Sequence, residues 1–342
     1  MSSKTRVVIV DDSAFARKVV RDVLERSQEV EIVGWARDGL EALELVASLD
    51  PDVLTLDLLM PNLDGLGVLR ALPENGPRAV IVSVANEDSE LAVEALTLGA
   101  VELVRKPTAL ATDRLYDLSS DLVVAVRAAG EARRRLRVVP KAPVPVRTAV
   151  GPAERTRLLV VGASTGGPHA LSRLVAALPR EFPVPVAIAL HIPPGYTPAL
   201  AARLDATSHV SVVEASDGLE LRPGLVAIAP GGMHLKIEAR GRACIARLDL
   251  SPLASAHHPS VDVLFESAAQ AVGSAALGMV LTGMGDDGLQ GSRAIHAVGG
   301  TVVSEAESSC VIYGMPRCVH EAGLDAKQVP LEQMIEAILE YL

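Results

Sequence analysis

Short apolar runs that end abruptly at a turn, each followed by apolar residues at helical spacing, limit this chain to a narrow set of folds. RVVIV (6–10), VLTL (53–56), AVIVSV (79–84) and VELV (101–104) read as buried strands. Phe15, Val19, Val20, Val23 and Leu24 then recur at helical intervals, as do Leu91, Ala95 and Leu98. The same alternation resumes with RLLVV (157–161), VAIAL (186–190), LVAIA (225–229) and ALGMVLT (276–282). Strands that are apolar on both faces and alternate with helices specify an α/β chain with parallel sheets covered on both sides. HLKIE (234–238) and ACIARL (243–248), joined through Arg240, Gly241 and Arg242, predict instead a small antiparallel hairpin. No repeat relates the two halves.

A chain of 342 residues exceeds the size at which one core keeps growing, so two domains are expected. Residues 127–157 carry nine basic side chains, two acidic ones and four prolines without a sustained apolar face. That stretch reads as a basic, Pro-rich tether. The expected division is therefore a first domain over 1–126, a linker over 127–156 and a second domain over 157–342. A formal net charge of −10 and 2% aromatic residues argue against nucleic acid as a partner, leaving proteins or small molecules. Cys244, Cys310 and Cys318 lack metal-ligand spacing and leave one over, which fits a reducing compartment. With no signal-peptide pattern and no apolar run of membrane-spanning length, a cytoplasmic location is expected.

In the first half, chemistry-bearing residues gather at the carboxyl ends of predicted strands. Asp11 and Asp12 follow the first, Asp57 ends the next, Ser83 lies at the end of a third and Lys106 follows a fourth. In an open parallel sheet these ends share one edge, where ligands bind. Crowded carboxylates repel one another unless a hard cation neutralises them, and Mg²⁺ takes carboxylate, water and phosphate oxygens. A metal-assisted phosphoryl site follows, with Asp57 the acceptor and Lys106 and Ser83 placed to hold phosphoryl oxygens. VDDSAFAR, TLDLLMPNLDG, Ser83 and the Lys106-Pro107 pair resemble a response-regulator receiver domain. The resemblance implies a flavodoxin-like fold, Mg²⁺ on Asp11, Asp12 and Asp57, and phosphorylation of Asp57 by a histidine kinase. Two positions depart from the family pattern: Leu103, where an aromatic switch residue is common, and Leu59, two after the acceptor.

In the second half, Gly162, Ser164 and Gly166 satisfy G-x-S-x-G, a strand-to-helix turn that exposes a serine hydroxyl. The same glycines suit a phosphate loop or a simple serine cap. His191 directly follows VAIAL, and Pro193 and Pro194 stop the strand beyond it. TGMGDDG (282–288) ends another apolar run with Asp286 and Asp287, either of which is placed to orient an imidazole. Hydroxyl, imidazole and carboxylate at three strand ends outweigh the phosphate-loop reading. His234, His257 and His258 lack metal-ligand spacing and suit groove-lining or loop-packing roles.

The Ser164 loop, HIPPGYT, IAPGGMH, HPSVDVLF and LTGMGDDG resemble the catalytic domain of the CheB family, the bacterial chemotaxis protein-glutamate methylesterases. With the receiver in front, the resemblance implies two doubly wound α/β domains, the second a Rossmann-like, mostly parallel sheet carrying the small hairpin. It assigns the catalytic residues to Ser164, His191 and Asp287, with Thr165 and Met284 lining the site beside the oxyanion. Asp286 departs from the asparagine common in the family. The implied activity is demethylation of glutamyl methyl esters on chemoreceptors, with deamidation of receptor glutamines, regulated by phosphorylation through an autoinhibitory receiver. The enzyme would meet the membrane only at its receptors. A receptor-binding scaffold without fast hydrolysis is the alternative, and methanol release separates the two.

Overall fold

The computed structural model describes residues 4–73, 75–83, 89–106, 114–136 and 156–342. The chain divides into two compact units, 1–141 and 142–342. Unit one runs β1 (Thr5–Val10), α1 (Ala14–Leu24), β2 (Val30–Ala36), α2 (Gly39–Leu49) and β3 (Val53–Leu56). It continues with α3 (Gly65–Ala71), β4 (Arg78–Ser83), α4 (Ser89–Thr97), β5 (Glu102–Arg105) and α5 (Arg114–Leu136). The five strands form one parallel sheet in the order β2-β1-β3-β4-β5. Val7, Val8, Ile9, Val10, Leu54, Leu56, Val80 and Ile81 are buried, as expected for strands covered on both faces. Chain order reverses between β1 and β3, which opens a crevice at their carboxyl ends. β2 escaped sequence reading because it is an edge strand with half-exposed residues rather than a continuous apolar run.

The expected linker start at 127 needs correction. α5 continues to Leu136, and Ala128, Ala129, Ala132 and Arg133 are buried. The stripe extends Leu122, Ala125 and Val126 at helical spacing, but in alanines, so it carries little hydropathy signal. Small residues are what this packing allows: a Cβ on Gly130 would stand 2.5 Å from Thr5 Cγ2 of β1. Arg133 is held inside by ion pairs with Asp50 and Asp52. The rest of the expected linker, 137–155, lies outside the described residues.

Unit two contains β6 (Leu158–Ala163), α6 (Gly167–Ala176), β7 (Val186–Leu190), α7 (Thr197–Thr207) and β8 (Ser211–Glu214). Next come β9 (Glu220–Leu221), β10 (Leu225–Ile228), β11 (His234–Arg240), β12 (Ala243–Asp249) and α8 (Val261–Val272). The chain closes with β13 (Ala276–Val280), α9 (Leu289–Ala297), β14 (Thr301–Glu305), α10 (Met315–Glu321), β15 (Lys327–Val329) and α11 (Met334–Leu339). Seven parallel strands are ordered β15-β14-β13-β6-β7-β10-β8, and the expected hairpin β11-β12 gains β9 as a third strand. The neighbours β13, β6 and β7 sit at the centre, so the turns that follow them meet over the middle of the sheet.

Candidate active site and phosphoacceptor site

Each central strand of unit two hands one polar side chain to the same cleft. Ser164 follows β6 in a turn closed by Gly166, which adopts φ +79°, and by the Gly167 N–H donating to Ser164 O at 2.6 Å. A Cβ on Gly162 would meet Val261 at 2.2 Å, and one on Gly283 would meet Ser164 Cβ at 2.8 Å. Gly162 thus lets α8 pack against β6, Gly283 lets backbone pass directly against the serine, and Met284, 37% exposed, comes one residue later. Thr165 is buried, and its carbonyl accepts from Thr282 Oγ1 at 3.0 Å. Thr282 also accepts from the Ile312 N–H, while its carbonyl takes the Ser164 N–H.

His191 follows β7 with its backbone N–H on Ala163 O. Its Nδ1 lies 3.1 Å from Ser164 Oγ and its Nε2 lies 2.7 Å from Asp287 Oδ2. Burial pushes the Asp287 carboxyl up, but hydrogen bonds from His191 and the Asp262 and Val261 N–H groups outweigh it and bring the carboxyl down to about 2. An ionised Asp287 only accepts, so Nε2 carries the imidazole proton and Nδ1 faces the serine hydroxyl as an acceptor. Asp286 is exposed and lines a groove of about 420 Å³ with His257, Ser260 and Asp262.

His257 and His234 take different places, and His258 packs beside His234 with ring centroids 4.4 Å apart. His257 stacks on His191 with ring centroids 3.9 Å apart. His234 is fully buried, its Nδ1 accepts from the Ser260 N–H, and its Nε2 faces Pro252 O, a loop-packing arrangement. Sequence reasoning missed Ser260, whose hydroxyl donates to Asp287 Oδ1 at 2.9 Å. Its signal was present, since Ser260 precedes the apolar run of α8 as an N-cap, but the partner lies 27 residues away.

In unit one the five expected residues also reach one edge. Lys106 Nζ lies 2.7 Å from both Asp11 Oδ2 and Asp57 Oδ2, all three side chains largely buried. The carboxylate oxygens of Asp11, Asp12 and Asp57 come within 4.8 Å of one another. Ser83 is buried at the end of β4, and its carbonyl accepts the Lys106 N–H. Gly65 is required beside Asp57, because a Cβ there would lie 2.3 Å from Asp57 O. Burial raises the Asp57 carboxyl and the Lys106 ammonium lowers it less, leaving the group above its ordinary value. Lys106 is itself shifted up, its two carboxylate partners outweighing burial. Leu59 is exposed and Leu103 is buried on β5. Two of these three carboxylates share one ammonium and Asp12 adds a third charge, leaving an all-oxygen donor set with excess negative charge, which fits a hard divalent cation.

Residues 159–338 match the CheB methylesterase family and residues 7–117 match the response regulator receiver domain. A protein-glutamate methylesterase/protein-glutamine glutaminase from Myxococcus xanthus is 60% identical over 99% of both chains. One from Thermotoga maritima is 38% identical over 98% of both. The crystal structure of the Thermotoga maritima CheB methylesterase catalytic domain is 40% identical, covers 55% of this chain and 99% of its own, and superposes with a TM-score of 0.53. Among the described residues no helix is long and apolar enough to cross a membrane.

Proposed function

Because the chain belongs to the CheB methylesterase family and carries a response-regulator receiver ahead of its catalytic unit, we propose a phosphorylation-regulated protein-glutamate methylesterase built on Ser164, His191 and Asp287. The observation that carries this reading is the single imidazole bridging the Ser164 hydroxyl and the Asp287 carboxylate. Ser164 Oγ attacks the carbonyl carbon of a glutamyl methyl ester on a chemoreceptor while His191 Nδ1 takes the hydroxyl proton. Asp287 steadies the imidazolium. The tetrahedral oxyanion is held by backbone N–H groups at Thr165 and Met284. Collapse breaks the ester C–O bond, and methanol departs with the proton from His191. Water then attacks the acyl-enzyme and gives a proton to His191, which passes it to Ser164 Oγ as the acyl C–O bond breaks, returning a free glutamate and the serine. On a glutamine side chain the same sequence expels ammonia, so one site serves demethylation and deamidation.

In unit one, Asp57 accepts the phosphoryl group from a partner histidine kinase, and Lys106 and Ser83 hold its oxygens. Asp11, Asp12 and Asp57 would hold Mg²⁺, which when bound supplies charge neutralisation for the incoming phosphate. The decisive experiment is methanol release from a methyl-esterified receptor fragment. Ser164→Ala should remain folded and lose at least about a thousandfold in kcat. A near-normal rate in that variant would eliminate Ser164 as nucleophile and with it the reading.

A further inference from the structure

α8 and α9 exchange carboxylates at their amino ends. Asp287, in the turn before α9, accepts from the N–H groups of Val261 and Asp262 at 2.8 and 2.9 Å and from the Ser260 hydroxyl. It therefore sits on the first turn of α8, where unsatisfied backbone donors favour negative charge. Asp262, the second residue of α8, reaches the other way. Its Oδ1 accepts from Gly288 N at 2.8 Å and Gly291 N at 2.7 Å, on the first turn of α9. Gly288 has no side chain with which to cap α9, so Asp262 fills that role from the neighbouring helix.

The exchange requires the two helices to touch. A Cβ on Gly291 would lie 2.4 Å from Phe265 Cβ and 3.1 Å from Asp262 Cα, and one on Gly288 would lie 3.0 Å from Val261 Cγ1. Glycine at both positions is what brings the donors within reach. The two carboxylates differ in consequence: Asp287 is held near 2, whereas burial, only partly offset by the glycine N–H groups and reinforced by the Asp287 charge, carries Asp262 up to about 6. Retaining a costly buried carboxylate whose bonds go to the base of the Asp287 loop implies a geometric task.

We propose that Asp262 is a positioning residue for the hydrolase reaction, tying the first turn of α9 to α8 and thereby fixing Asp287 against His191 Nε2. The inference rests on the proposed Ser164, His191 and Asp287 chemistry. It makes Asp262 a residue that acts through Asp287, its Oδ1 engaged by the Gly288 and Gly291 N–H groups.

A rate cycle on the full chain tests it. Asp262→Ala should lower kcat about 10- to 100-fold with KM changed less than threefold. Asp262→Asn should rescue the rate to within about threefold of the unaltered enzyme, since its amide oxygen can accept both glycine N–H groups. In an Asp287→Ala background, Asp262→Ala should cost less than twofold, because the group it positions is already gone. An equal loss in both backgrounds would overturn the proposal and leave Asp262 a plain structural brace. So would a kcat within twofold in the single Asp262→Ala variant. If Asp262→Ala does not fold, Asp262→Asn carries the test through the low-field proton resonance of the His191–Asp287 hydrogen bond: its retention supports the proposal and its loss overturns it. Failure of the nucleophile assignment is read separately, from Ser164→Ala alone.

Discussion

The two units place carboxylates at the same architectural position, the carboxyl ends of central parallel strands, and treat them in opposite ways. Asp57 shares one ammonium with Asp11, and burial still leaves its carboxyl above the ordinary value. Asp287 lies on the amino end of a helix, and its carboxyl falls to about 2 despite burial. A neighbouring cation on a flexible stem can move when a phosphoryl group or metal arrives; backbone N–H groups of a packed helix cannot. The first arrangement suits a site whose charge must change, and the second a site whose charge must stay fixed. The low value of Asp287 also has a stability consequence. Its contribution is complete above the ordinary carboxyl value of 3.8 and is lost as pH falls through about 2.

The sharpest way to break this contrast is to neutralise the fixed charge. Asp287→Asn should cut kcat by about 10⁴, the scale seen when a triad carboxylate is replaced and the imidazole tautomer is no longer enforced. Asp286→Asn is the internal control. Asp286 is exposed and solvent-screened, so its kcat should stay within about threefold. Steady-state methanol release on both variants decides the matter, and comparable losses would mean that the helix end does not select one carboxylate over its neighbour.

The movable cation gives the next effect. Lys106→Met leaves two largely buried carboxylates without their ammonium, and removing one partner of a buried pair typically costs about 3–5 kcal/mol. Denaturant unfolding should show a loss of that order at pH 7 that shrinks as pH falls and the Asp57 carboxyl, raised by burial, takes up a proton. A loss independent of pH would assign the effect to packing of the lysine stem and remove the electrostatic half of the comparison.

Legibility in the sequence followed the same division between local and distant causes. Ser164, His191 and the Asp286-Asp287 pair announced themselves because glycines or prolines end an apolar run beside each one. Asp11, Asp12 and Asp57 did so because they follow an apolar run directly, without a glycine or proline beside them. What stayed hidden depended on neighbours remote in the chain. The buried end of α5 is an alanine stripe whose meaning comes from Thr5, more than a hundred residues earlier. β2 and β15 are edge strands with half-buried residues, recognisable mainly through their pairing to β1 and β14. Which carboxylate serves which helix end is settled by contacts 25 to 29 residues apart between α8 and the Asp287 turn, and no periodicity reports that choice.

Glu305 provides a third treatment of a buried carboxylate and a finer test. Fully buried at the end of β14, it accepts from the Thr282 N–H and the Ser309 hydroxyl, with no cation beside it among the described residues. Burial carries its carboxyl up to about 7, the hydrogen bonds recovering only part of the cost. In the unfolded chain the group titrates near 4.5, so below that pH it is protonated in both states and burying it carries no ionic cost. Between pH 4.5 and about 7 the unfolded chain ionises first and the folded state loses ground. Above that range the penalty is constant and on the order of 3 kcal/mol, since each tenfold change in proton affinity between the two states is worth about 1.36 kcal/mol. Glu305→Gln keeps an oxygen for the Thr282 N–H and cannot ionise. Its stability relative to the unaltered protein should therefore be unchanged at pH 4 and rise to a plateau above pH 7, measured by chemical unfolding across that range. A difference that stays flat with pH would mean that neutral donors alone suffice to hold a buried charge here, and the distinction drawn between helix end, ammonium and hydroxyl would lose its third point.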